Sequence, residues 1–238
     1  MKILQILRKR ISFIRSKRFY SQFIRKGDLC FDIGANIGER SALFLALGAR
    51  VIAVEPQTRC MASLNELKRK YGERIVILKA AISDKAGTAE LNLGNVSETS
   101  TLSGKFMAEF GKHGVLTWNE TEIVELRTLE DLITEFGIPR YCKIDTEGFE
   151  WNVISPLRMK IPYIEFEFTP VFKEEAIACI HHLSGLASVQ FNFTRYEQPS
   201  LVLPEWVNAQ EMKMVLAKVD PKIIHGNIFV RIDQNAGN

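Results

Sequence analysis

The chain has 238 residues, enough for one domain with a sizeable core, and 46% hydrophobic with 25% charged residues is a globular composition that excludes a disordered chain. Its net charge of +3 hides an uneven distribution: residues 1–27 hold nine Lys/Arg and no acid, leaving 22 basic against 28 acidic residues in the remainder. No apolar run is long enough to span a bilayer or form a secretory signal. Cys30, Cys60, Cys142 and Cys179 lack C-x-x-C or zinc spacing, so reduced buried thiols and a cytoplasmic location are expected.

Residues 1–27 carry apolar side chains at roughly helical spacing, among them Leu7, Ile11, Ile14, Phe19 and Phe23. The pattern predicts one or two amphipathic helices packed on the domain as a basic cap. Peripheral membrane contact through residues 1–26 is the other use such a helix has.

From Leu29 to Gln57 the chain reads strand, glycine turn, helix, strand: apolar Leu29–Ile33, Gly34 and Gly38 in the turn, a helix over Glu39–Leu47, and a strand Val51–Val54 ending at Glu55. Such a βαβ unit aims backbone N–H groups and a helix N-terminus at a ligand's polar groups, with an acid at the next strand tip. The turn is D-x-G-x-N-x-G, from Asp32 through Gly34 and Asn36 to Gly38, and lacks the G-x-G start of the dinucleotide fingerprint. Asn36 tolerates the left-handed backbone that a glycine would otherwise supply. The pattern resembles the first motif of Rossmann-like S-adenosylmethionine-dependent methyltransferases. That resemblance implies that the loop meets the methionine end of the cofactor and that Glu55, an acceptor-only carboxylate, takes both ribose hydroxyls.

A helix over Thr58–Tyr71, stopped by Gly72, and a third strand over Arg74–Ala81 follow. The polar turn after that strand puts Ile82 and Ser83 where a methyltransferase of this architecture meets the adenine, although a turn initiated by Ser83 and Asp84 explains the same letters. Between about 86 and 120 the α/β rhythm breaks into an insertion, with a short strand Thr88–Leu93, a helical turn at Phe106–Phe110, and His113 and Trp118 in a loop-like setting. An insertion on the cofactor side is suited to cover an acceptor. Thr121–Leu126 is then a strand, and Thr128 with Asp131 three residues on caps a helix whose core stripe is Leu129, Leu132, Ile133 and Phe136.

The second informative stretch is Tyr141 to Trp151, a strand with Asp145 and Glu147 at its C-terminal tip and Gly148 opening a helix. In open α/β sheets that tip faces the ligand crevice. Phe31-Asp32-Ile33-Gly34-Ala35-Asn36-Ile37-Gly38 and Lys143-Ile144-Asp145-Thr146-Glu147-Gly148 together resemble the FkbM family of S-adenosylmethionine-dependent methyltransferases. Arg127–Leu132 and Tyr163–Glu167 carry weaker marks of the same family. Beyond them come a helix over Phe172–Leu183, a segment Pro199–Lys218 read as more acceptor wall, and strands over Val189–Tyr196 and Ile223–Val230.

The expected fold is a doubly wound Rossmann-like α/β methyltransferase sheet with helices on both faces, over residues 28–238, behind the basic cap of residues 1–27. S-adenosylmethionine is the expected cofactor. The family resemblance implies O-methylation of a hydroxyl on a small acceptor such as a saccharide. Asp145 is the first candidate for the carboxylate that assists proton loss and Glu147 the second. Glu165 and Glu167 share one side of a strand by period two. With no histidine at ligand spacing, no metal is expected. The alternatives are a non-catalytic cofactor-fold module that binds a membrane or partner, a nucleic-acid methyltransferase served by the basic segment, and a nicotinamide enzyme. The D-T-E-G tip and the glycine spacing speak against the last two. Acceptor identity and oligomeric state are not encoded in these motifs.

Overall fold

The computed structural model describes residues 2–219 and 225–232. In chain order the elements are α1 (Lys2–Tyr20), β1 (Leu29–Ile33), α2 (Glu39–Ala46), β2 (Arg50–Val54), α3 (Met61–Tyr71), β3 (Ile75–Leu78), β4 (Ala81–Ile82), β5 (Gly87–Gly94) and α4 (Gly104–Phe110). They continue with β6 (Trp118–Arg127), α5 (Leu129–Phe136), β7 (Tyr141–Ile144), α6 (Glu150–Ile154), β8 (Tyr163–Phe168), α7 (Lys173–Leu186), β9 (Val189–Arg195), α8 (Ala209–Ala217) and β10 (Gly226–Ile232).

Among the described residues, a seven-stranded sheet runs β3-β2-β1-β7-β8-β10-β9. The pairings from β3 to β8 are parallel, and β10 lies antiparallel between β8 and β9. Chain order reverses between β1 and β7, which is where a doubly wound sheet opens its ligand crevice. Both faces are covered, as the apolar strands require. Cys30, Val51, Ala53 and Tyr141 face a core completed by α1, α2 and α3, while Phe31, Ile33, Ile52, Val54, Cys142 and Ile144 face one completed by α5, α6, α7 and α8.

The basic segment is a single helix, and its C-terminal end is built into the domain. Phe19, Tyr20, Phe23 and Ile24 are buried, and the Phe23 ring meets Tyr141, Tyr163, Trp206 and Phe229 at centroid distances of 5.4 to 6.4 Å. Thr128 and Asp131 form the expected capping box.

Two expectations about the middle of the chain differ. The third strand is divided: β3 pairs with β2, whereas Ala81 and Ile82 leave the main sheet and pair with Leu126 and Arg127 of β6. The insertion is ordered as a β5–β6 hairpin, so Trp118 begins a strand, and this second sheet runs β4-β6-β5. Of the strand expected over 223–230, residues 223 and 224 lie outside the described residues.

Candidate active site

A cavity of about 870 Å3 opens at the carboxyl ends of β1, β2 and β7, toward the upper end of the roughly 300–1,000 Å3 usual for ligand sites. Its first wall is the turn after β1. The N–H groups of Gly34 and Ala35 both donate to the Val54 carbonyl at 3.0 Å, holding the turn against β2. Gly34 has φ +75°, and a Cβ placed there would lie 1.8 Å from the Asp145 carbonyl oxygen, so only glycine permits this approach. Asn36 takes the left-handed conformation, φ 49°, expected of it.

Glu55 projects into this turn. Its two carboxylate oxygens accept the Asn36 N–H at 2.8 Å and the Gln57 N–H at 2.9 Å. A carboxylate oxygen accepts more than one hydrogen bond, so lone pairs remain for two further donors, which is what a ribose diol offers. Burial holds this carboxyl above its usual range despite those N–H donors. The glycine-only turn and the acceptor pair at its edge therefore fit the nucleoside part of S-adenosylmethionine.

The sheet beneath carries a charged row set by register. Asp32 pairs with Lys143 across β1 and β7, and Lys143 pairs with Glu165 across β7 and β8, all on the face covered by α1 and α2. Asp32 accepts the Ser41 hydroxyl at 2.6 Å through one oxygen, while its other oxygen is buried with no partner among the described residues. Glu165 accepts the hydroxyls of Tyr20, at 2.9 and 3.1 Å, and of Tyr141. Arg40 lies over the Tyr20 ring at 5.2 Å, pairs with Glu197, and lines the cavity.

At the β7 and β8 tips, Lys143 Nζ donates to Asp145 Oδ2 at 2.7 Å. Burial works against the charged form of Asp145, but the neighbouring ammonium outweighs it and holds the carboxyl below the ordinary range. Glu147 and Glu167 go the other way: burial and the surrounding carboxylates push both well above the usual range. Glu167 brings an oxygen within 4.8 Å of Asp145, and its Oε1 is 2.8 Å from His225 Nδ1. Burial lowers the His225 imidazole, favouring its neutral form. Asp145, Glu147 and Glu167 each bring an oxygen within 4.8 Å of the others, an arrangement in which Lys143 is the cation at hand.

Of the residues singled out by sequence, Gly34, Asn36, Glu55, Ile82, Asp145 and Glu147 line one cavity. Asp32, Gly38 and Ser83 do not. Asp32 lies behind the turn, and Gly38 lets α2 pack close to α3, since a Cβ there would meet Leu67 at 2.6 Å. Ser83 is turned to the Arg127 carbonyl and to Asp84. Trp118 Nε1 donates to the Thr99 carbonyl and stays out of the cavity, and the His113 side chain lies outside the described residues. The insertion does cover the cavity, but through Leu91 and the Ser97–Leu102 stretch. Residues 199–218 do not line it: Trp206 packs on Phe23, and Met212 and Leu216 of α8 are in the core. Sequence reasoning missed Arg40, His225, and the α1 residues Arg10, Ser12, Phe13 and Ser16, all of which line the cavity.

Residues 32–200 match the Methyltransferase FkbM domain family. No curated protein matches the chain in sequence. Among solved structures, precorrin-6Y C5,15-methyltransferase from Geobacter metallireducens GS-15 is 11% identical over 93% of this chain and 88% of its own, with a TM-score of 0.48. An rRNA methylase from Streptococcus thermophilus is 11% identical over 92% and 95%, at 0.47. A Streptococcus mutans protein described as a methyltransferase, in complex with SAH, is 12% identical over 92% and 96%, at 0.44. The acceptors named for these proteins are theirs alone. With both glycine-turn and β7-tip motifs inside the matched span, the chain belongs to the FkbM family of S-adenosylmethionine-dependent methyltransferases.

Proposed function

We propose that this protein methylates a hydroxyl oxygen of a small polyhydroxylated acceptor, such as a saccharide or a related natural product. The observation that carries this reading is the His225–Glu167 hydrogen bond beside Asp145 in the cavity wall. A hydroxyl has to lose its proton to complete methyl transfer, whereas a sulfonium donor arrives already activated.

Glu167, held protonated beside Asp145, accepts Nδ1–H of neutral His225, which leaves the Nε2 lone pair for the acceptor's proton. The acceptor oxygen forms its bond to the methyl carbon as the carbon–sulfur bond breaks, the sulfur keeps the electron pair, and the proton passes to Nε2. Asp145, held as a carboxylate by Lys143, is a weaker base than its position suggests, and its role is to fix Glu167 and offer negative charge beside a cationic donor. Glu147, held protonated, is a donor to an acceptor oxygen. The wall also carries Glu39, Glu98 and Glu197 together with Arg10 and Arg40, a mixed set of hydrogen-bond donors and acceptors that suits a neutral polyol.

The test has two stages. Calorimetry of S-adenosylmethionine on the wild type and on Glu55→Ala, with NAD as the control ligand, is expected to show binding that weakens markedly in the variant; absence of binding to folded wild type overturns the assignment. Transfer of labelled methyl groups to a panel of saccharides and polyols, against an rRNA control, then tests the acceptor class. With a working acceptor, His225→Gln is expected to retain cofactor binding and lose turnover, with Asp145→Asn milder. The reverse order assigns the proton to Asp145.

A further inference from the structure

We propose that α1 docks this protein on an anionic membrane surface. Ser16, Phe13 and Ser12 of this helix line the cavity and Tyr20 is buried beneath it, so one side of α1 is accounted for. On another side, Ile11 and Ile14, three residues apart, form a short apolar stripe. Ile11 and Ile14 are 55% and 58% exposed. Arg10, Arg15, Lys17 and Arg18 are exposed around the same stripe.

The charges choose the occupant. Residues 1–27 hold nine basic groups and no acid, so two copies meeting along this stripe would set like charges against like, as paired helices avoid doing. A bilayer surface with acidic headgroups matches both features. The isoleucines enter the acyl boundary while arginine and lysine stay among the phosphates, and each basic residue near such a surface adds about 1 kcal/mol of attraction. None of the described helices is long and apolar enough to cross a membrane, so the contact lies in the surface plane. A helix is about 10–12 Å thick with its side chains, so docking brings the cavity mouth, lined by Arg10, Ser12 and Phe13, within roughly that distance of the headgroups.

The experiment is co-sedimentation of the full chain with vesicles of phosphatidylcholine alone and of phosphatidylcholine with phosphatidylglycerol. Retention is expected only on the anionic vesicles, weakening as salt rises. Ile11→Asp/Ile14→Asp is expected to lower apparent affinity roughly tenfold or more while leaving the melting temperature unchanged, because neither side chain is part of the core. Failure of the wild type to sediment, equal retention of wild type and double variant, or a dimer that the double variant dissolves in analytical ultracentrifugation would each overturn the proposal.

Discussion

The carbonyl oxygen of Asp145 lies 1.8 Å from the point where a side chain on Gly34 would begin, so the tips of β1 and β7 meet backbone to backbone. Gly34→Ala is therefore expected to combine left-handed strain with a clash that no side-chain rotation relieves. We expect a loss of about 1–3 kcal/mol in stability, read as a lower melting temperature, and abolished cofactor binding by calorimetry. A variant that binds S-adenosylmethionine like the wild type would show that the two tips move apart freely.

Lys143 is buried and holds Asp145 in its charged form. Lys143→Met removes the cation and leaves an uncompensated carboxylate, a change that typically costs about 3–5 kcal/mol in buried pairs. Asp145 then takes up a proton, so the variant's stability is expected to fall more steeply with rising pH than that of the wild type. Chemical denaturation across the neutral range checks the slope.

The basic segment is not a detachable tail. Phe23→Ala empties a site among five aromatic rings, and comparable buried truncations cost about 3–5 kcal/mol. Removing residues 1–26 is expected to expose the Tyr141 and Phe229 surface and destabilise the domain. Thermal melts of the truncated and full-length chains check the loss.

Burial raises the Glu150 carboxyl to about 7, against the stabilising donors from Thr146 at 2.8 and 3.0 Å. In the unfolded chain the same group ionises near 4.5, so the folded state holds the extra proton between those values. Its contribution is complete below about 4.5, falls by up to about 1.4 kcal/mol per pH unit, and is gone above about 7. Glu150→Gln keeps an oxygen for the Thr146 donors and is expected to flatten that decline in melts from pH 5 to about 8.

Legibility in the sequence followed the range of the interaction. Gly34, Asn36 and Glu55 were readable because a turn and the next strand tip are local, and the capping box at Thr128 and Asp131 is three residues long. Asp145 and Glu147 were readable because a strand tip faces the crevice whatever lies around it. His225 was not: it meets Glu167 from 58 positions away, across two strands that run in opposite directions, and a lone histidine before a strand carries no spacing. The Asp32–Lys143–Glu165 row needs the inter-strand register, which no single strand states. Ser83 was misleading as a landmark because β4 departs for the second sheet, and that departure depends on β6, some forty residues later.

The position of β10 has a further consequence for how the domain is made. It is paired on both sides, to β8 and to β9, yet it follows every other described strand in the chain. During synthesis β8 therefore waits with an open edge and β9 has no partner in the main sheet until Gly226–Ile232 leaves the ribosome. The sheet cannot close vectorially. From the completion of β8 at Phe168 until Gly226 follows, the emerging chain carries an unprotected β edge, the state in which nascent proteins aggregate or recruit chaperones, and a stall before residue 226 leaves a polypeptide whose cofactor turn is complete but whose sheet is not.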